Sequence, residues 1–138
     1  MSMRILMISS ELRQLAKAGG LADAVASLAG ALARVGHDVR IVLPRYYFIS
    51  RDDLERLPLT LDLSPEGPVA VYHTSIEDGH TSVPVYLIDY EAAYGRDGIY
   101  GRNGSEPFDD NAWRFSLLSR AALELARGTG WRPDVFHA

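Results

Sequence analysis

Two apolar runs of strand length, separated by one helical repeat, constrain this chain more than any other feature. Residues 4–10, "RILMISS", form a continuous apolar run, the pattern of a parallel strand covered on both faces. Leu21, Val25, Leu28, Ala29, Leu32 and Val35 then recur at spacings of three and four, which predicts one face of an amphipathic helix. Gly36 stands where a helix commonly ends. Residues 38–44, "DVRIVLP", make the next strand, closed by a proline that cannot extend a ladder. Strand, helix and strand in this order form a βαβ unit with a right-handed crossover. The expected fold class is therefore α/β, a Rossmann-like parallel sheet with flanking helices.

The middle of the chain has another pattern. "SRDDLERL" predicts one short helix with Ser50 as its N-cap. "LTLDLS", "VAVYHTSI" and "VPVYLIDY" are short, partly alternating strands, and Asp78-Gly79 between the last two signals a hairpin. This predicts an antiparallel hairpin inserted into the parallel scaffold. Residues 91–108 are rich in glycine and poor in aliphatic side chains, a loop long enough to be functional or mobile. A helix comes next, with Phe115, Leu118, Ala122 and Leu125 on one face, Asp109 or Asp110 at its start and Gly128 at its end. "WRPDVFHA" then leads into another buried strand, and the sequence stops where an α/β protein places functional side chains. A natural domain seldom finishes there, so residues 1–138 are expected to be part of a larger domain.

Composition removes several function classes. The 138 residues make one domain, with 47% hydrophobic and 23% charged residues. A net charge of −4 argues against a nucleic-acid partner, which would call for a basic stripe. With no cysteine there is neither a disulfide framework nor a thiolate metal site. The apolar N-terminus meets Glu11 and Arg13 too soon for a signal peptide or a membrane span. A cytoplasmic protein without a membrane partner is expected.

The chemistry concentrates between the first strand and the first helix, the edge at which open α/β sheets bind ligands. Lys17 precedes Gly19 and Gly20 there, at the mouth of the helix. In one reading the glycines expose successive amides to an anion, the helix dipole favours it and Lys17 adds a positive charge, which suits phosphate or diphosphate. In the other they only shape a turn. The segment "GGLADA" matches neither the dinucleotide fingerprint nor the Walker pattern. Asp23, in the first helical turn, either complements the dipole or accepts from sugar hydroxyls, and Glu11 at the end of the first strand could do either. His37, His73, His80 and His137 show no metal-ligand spacing. His37 reads as part of a helix end and His73 and His80 as surface residues, so only His137 sits at an active-site position. Trp113, Phe115 and Trp131 read as core.

Six segments, in order, carry a resemblance: "ILMISSEL", "KAGGLADAV", "ALARVGHDVRIVLPRY", "GRDGIYG", "DDNAWRFSLLSRAALELA" and "WRPDVFHA". With them the chain resembles the N-terminal part of bacterial glycogen synthases and plant starch synthases, retaining glucosyltransferases built from two Rossmann-like domains (the GT-B fold). The resemblance implies ADP-glucose or a related sugar nucleotide as donor and the nonreducing end of an α-1,4-glucan as acceptor. It implies neither metal nor cofactor. It makes Lys17 the sugar-nucleotide lysine, sets the Gly19 and Gly20 amides near the diphosphate, and places Asp23 near the donor glucose or the glucan. It assigns no catalytic residue in this stretch.

The chain departs from the family at Gln14-Leu15, where Pro-Phe is usual, at Leu28-Ala29, where Leu-Pro is usual, and at Ala18, where threonine is common. The family's second domain, with most nucleotide contacts, lies beyond these residues, so the chain alone is expected to be inactive. An unpaired sheet edge at its last strand would invite pairing with a second copy. The competing reading is a stand-alone noncatalytic module that binds glucan or nucleotide, or docks on a partner enzyme. A dinucleotide oxidoreductase is excluded by the missing fingerprint and by "VLPRY", which puts no acidic residue at the end of the second strand.

Overall fold

The computed structural model describes residues 1–102 and 106–138. Its strands are β1 (Arg4–Ile8), β2 (Asp38–Pro44), β3 (Glu55–Asp62), β4 (Pro68–Asp78), β5 (Thr81–Asp89) and β6 (Val135–His137). They join in one mixed sheet of order β3-β4-β5-β2-β1-β6. β5, β2, β1 and β6 run parallel, and β3, β4 and β5 pair antiparallel. The meander is thus an extension of the same sheet, and β5 belongs to both halves. Among the described residues, three α-helices accompany the sheet: α1 (Gly20–Arg34), α2 (Glu91–Tyr94) and α3 (Asn111–Thr129). α1 lies over β2 and β5, and α3 over β1, β2 and β3. Consecutive residues Ile5, Leu6 and Met7 of β1, and Ile41, Val42 and Leu43 of β2, are buried, so the central strands are covered on both faces.

The inward face of α1 differs from the leucine-led stripe that its periodicity suggests. Ala22, Val25, Ala26, Ala29 and Gly30 are buried, while Leu21, Leu28 and Val35 are 46%, 39% and 73% exposed. Small residues win because the helix approaches the β4–β5 hairpin closely. A Cβ on Gly30 would stand 2.2 Å from Asp78 Oδ2. Leu21, Leu28 and Val35 recur every seven residues and so share one outer stripe.

Four further expectations change. "SRDDLERL" is not one helix: Ser50 caps a 3-10 turn, Arg51–Asp53, by accepting from the Asp52 amide at 3.2 Å, and a strand starts at Glu55. Pairing of Glu55 with His73 on β4 overrides the local helical preference. α3 continues through Gly128 to end at Gly130, whose φ is +71°. Its N-cap residue Asp110 gives the helix no side-chain bond; both its oxygens accept from Arg96 at 2.6 Å. β6 forms beside β1, yet Val135 and Phe136 are 38% and 44% exposed instead of buried. As the edge strand it pairs on one side, and its apolar side chains stay partly open to solvent. His37 does more than sit past a helix end, since its Nδ1 accepts the Met3 amide at 3.1 Å. Trp113, Phe115 and Trp131 pack half-buried against the core. Within 91–108, the expectation of a long loop covers α2 and a bridge between Gly101 and Pro107; residues 103–105 lie outside the described residues.

Candidate functional site

At the carboxyl end of β1 the chain enters Ser9, Ser10 and Glu11, and Glu11 organises the loop that leads to α1. Glu11 is only 4% exposed. Oε1 accepts the amides of Ala18 and Gly19, both at 2.8 Å, and Oε2 accepts the Tyr100 hydroxyl at 2.6 Å. Burial pushes the Glu11 carboxyl up; the Tyr100, Ala18 and Gly19 hydrogen bonds and the Lys17 charge outweigh it, leaving the group below its ordinary value. Tyr100 responds in the opposite sense. Burial, then its bond to Glu11, pushes the phenol up to about 12. Ser10 Oγ lies 2.6 Å from the same hydroxyl, and the Ser10 carbonyl accepts from Tyr46 at 2.7 Å.

Between Glu11 and α1 the loop makes a tight turn, with the Leu15 amide donating to the Leu12 carbonyl at 3.1 Å. Gln14 sits at the third position of that turn with φ +80°, where glycine is the ordinary choice. Lys17 emerges beyond it, exposed, with Nζ 2.7 Å from Asp23 Oδ2, and Arg13 lies 3.8 Å from Asp23 Oδ1. The Lys17 hydrogen bond is the main cause that holds the Asp23 carboxyl below its ordinary value. Ion pairs this exposed are screened by solvent and add little to the fold. Lys17 is therefore poorly explained as a structural clamp.

Gly19 and Gly20 have no internal reason to be glycine. Gly19 is extended, and a Cβ on either would meet nothing within 4 Å. The space in front of both is open, as close approach of a ligand to backbone requires. Gly19, the N-cap residue of α1, offers no side-chain cap, which leaves the first amides of the helix to solvent or a ligand. The two glycines do not act alike, however. The Gly19 amide is committed inward to Glu11, whereas Gly20 is the first residue of the helix itself.

The structure brings Glu11, Lys17, Gly19, Gly20 and Asp23 into one loop and helix start. His137 lies around the corner, in a cleft of about 280 Å³ with Ser9, Ser10, Leu21 and Val25. His73 is half-buried beside Tyr86, and His80 is exposed on the hairpin turn. Sequence reasoning missed Tyr100 and Arg114. Arg114 is fully buried and donates to the carbonyls of Ala93 and Ile99 at 2.6 and 2.7 Å and to Asn111 Oδ1 at 2.8 Å. It thereby holds the segment that presents Tyr100. One signal pointed there: Gly98, with φ +115°, where a Cβ would meet the Gly101 carbonyl at 1.9 Å, so the turn carrying Tyr100 demands glycine. Among the described residues no group of three or more His, Asp or Glu side chains could hold a metal ion, and no helix is long and apolar enough to cross a membrane.

Fold and site together define an α/β protein whose loops gather at the carboxyl edge of a parallel sheet, with a lysine and an open glycine pair at the first helix. The chain belongs to the starch synthase catalytic domain family, whose model matches residues 4–138. It is therefore a member of a glycosyltransferase family. It is 49% identical over 139 residues to a glycogen synthase of Treponema denticola, an alignment covering 99% of this chain and 28% of that protein. Glycogen synthase 1 of Geobacter metallireducens is 45% identical over 141 residues, with the same coverage of 99% and 28%. Among solved structures, the catalytic domain of starch synthase IV from Arabidopsis thaliana, bound to ADP and acarbose, superposes with a TM-score of 0.76 at 30% identity. That match covers 99% of this chain and 28% of the other. The chain thus spans little more than a quarter of the length of these relatives.

Proposed function

We propose that this chain supplies one wall of a glucosyltransferase cleft. The reaction is transfer of glucose from ADP-glucose, or a related sugar nucleotide, to the nonreducing end of an α-1,4-glucan with retention. The observation that carries this reading is the starch synthase relative bound to ADP and acarbose, which shares the fold over nearly all of this chain. In this reading Lys17 neutralises a diphosphate oxygen. Open space before Gly19 and Gly20 lets the diphosphate reach the helix start, where the dipole favours negative charge. Asp23, held ionised by Lys17, accepts from sugar hydroxyls. Glu11 acts as a positioning residue, because three donors already occupy its carboxylate.

One wall does not make a catalyst. Water exclusion and electrostatic stabilisation of the transition state need groups on both sides of the substrate. The 138-residue chain alone is therefore expected to bind donor without elongating glucan. The exposed β6 edge, with Val135 and Phe136, is expected to pair two copies of the chain. Calorimetric titration with ADP-glucose, run beside an assay for labelled glucose incorporated into glycogen, tests the reading. Saturable binding without incorporation supports it; absence of binding overturns the donor site, and sustained elongation overturns the one-wall account.

A further inference from the structure

The chain leaving β2 makes a turn, Tyr46 to Ile49, closed by the Ile49 amide donating to the Tyr46 carbonyl at 2.9 Å. Its two central residues are Tyr47 and Phe48, positions usually filled by Gly, Pro, Asn, Asp or Ser. Both are exposed, at 57% and 47%. Two large rings at the tip of a turn cost hydration and gain little burial. Such a break with local preference is characteristic of a binding surface.

The turn is also held unusually firmly. Buried Arg45 donates from Nη1 to the Tyr46 and Ile49 carbonyls at 3.2 and 2.9 Å, and its other nitrogens reach Asp89 and Glu91. The Phe48 ring lies nearly parallel to that of Tyr46, centroids 5.6 Å apart and planes 12° from each other. Tyr46 is fully buried and anchored to the Ser10 carbonyl. Phe48 is thus backed on one face by a fixed ring and open on the other. Glu91 and Arg51, both largely exposed, form an ion pair near the base of the turn and offer an acceptor and donors.

We propose that Tyr47 and Phe48 form an aromatic shelf that binds an α-1,4-glucan chain, on the turn that follows β2. The C–H bonds on one face of a pyranose present partial positive charge, which suits the negative face of an aromatic ring. A fixed aromatic face with polar groups beside it packs against a sugar ring and meets its hydroxyls. The glucan as ligand rests on the function proposed above; the shelf itself rests on the turn.

Calorimetric titration of the chain with maltoheptaose, using wild type, Phe48→Ala, Tyr47→Ala and Phe48→Trp, tests this. The alanine variants are expected to bind about tenfold more weakly, Tyr47→Ala with unchanged melting temperature and Phe48→Ala with a small decrease from the lost stacking on Tyr46. Phe48→Trp keeps the affinity, and its added fluorescence shifts along the same saturation curve. Equal affinity in wild type and both alanine variants, or no saturable maltoheptaose binding to wild type, overturns the shelf. ADP-glucose titrated in parallel separates the two claims. Maltoheptaose binding that depends on Phe48, without ADP-glucose binding, removes the donor reading and keeps the shelf. The reverse removes the shelf and keeps the donor reading.

Discussion

The Tyr100 hydroxyl donates to Glu11 Oε2 across 2.6 Å, and this one contact ties the turn after α2 to the loop that carries Lys17. The other oxygen of Glu11 holds the Ala18 and Gly19 amides, so a single carboxylate fixes both loops. Tyr100→Phe removes a hydrogen bond to a charged group and is expected to cost about 1.5–3 kcal/mol in urea unfolding.

The same contact sets a pH dependence. The Glu11 carboxyl is depressed in the folded chain, so its contribution to stability is present above the unfolded value of 4.5 and is lost as pH falls through the folded value. Tyr100 is raised, so its contribution is present below 10 and is lost as pH rises toward about 12. Unfolding free energy measured across the acid range should therefore fall less steeply in Tyr100→Phe than in wild type. An identical slope would show that the bond does not hold Glu11 ionised.

Gln14 occupies a left-handed position that costs a side chain roughly 1–2 kcal/mol. Gln14→Gly should raise stability by about 0.5–1 kcal/mol, the relief being partly offset by a freer unfolded chain. Gln14→Pro, with φ locked negative, should lower it. Thermal unfolding of both variants checks the sign. The usual Pro-Phe of the family cannot be accommodated by this turn as it stands.

Arg114 is a buried guanidinium that serves carbonyls and rings: its Cζ lies 4.9 Å from the Phe108 ring centroid and 5.1 Å from that of Phe115. Burial holds its pKa below the ordinary value, and it still donates to three oxygens. Arg114→Lys keeps the charge but loses the fork, leaving buried carbonyls unmet. A loss of about 2–3 kcal/mol is expected in denaturant unfolding. A neutral result would show that the Tyr100 segment holds itself.

At the other end of the sheet, Phe136→Lys places a charge on the exposed β6 edge. It should leave melting temperature nearly unchanged and suppress concentration-dependent association in analytical ultracentrifugation. Association that survives the change would place the contact elsewhere.

The βαβ core was legible because two strands and a helix differ in hydrophobic period, and residues 38–44 became β2 residue for residue. The inward face of α1 was not. Periodicity weights Leu21 and Leu28 above Ala22 and Ala26, whereas close approach to the hairpin favours the smaller side chains. The apolar pair Val135 and Phe136 signals a surface that can be buried, without saying by what. Lys17 and Asp23 lie near enough in sequence for one local motif to display them. Glu11 and Tyr100 stand 89 residues apart, and no pattern in either neighbourhood announces that they meet. The commitment of the Gly19 amide to Glu11 belongs to that same unseen contact.

Lys17 and the open glycine pair are central to the proposed function, as the receivers of the diphosphate of a sugar nucleotide. Lys17→Ala is the most direct test, because Lys17 is exposed and its ion pair with Asp23 is worth little to the fold. Titrating ADP-glucose calorimetrically into wild type and Lys17→Ala should show saturable binding weakened about tenfold or more by the substitution. Equal affinity in the two proteins would contradict the account.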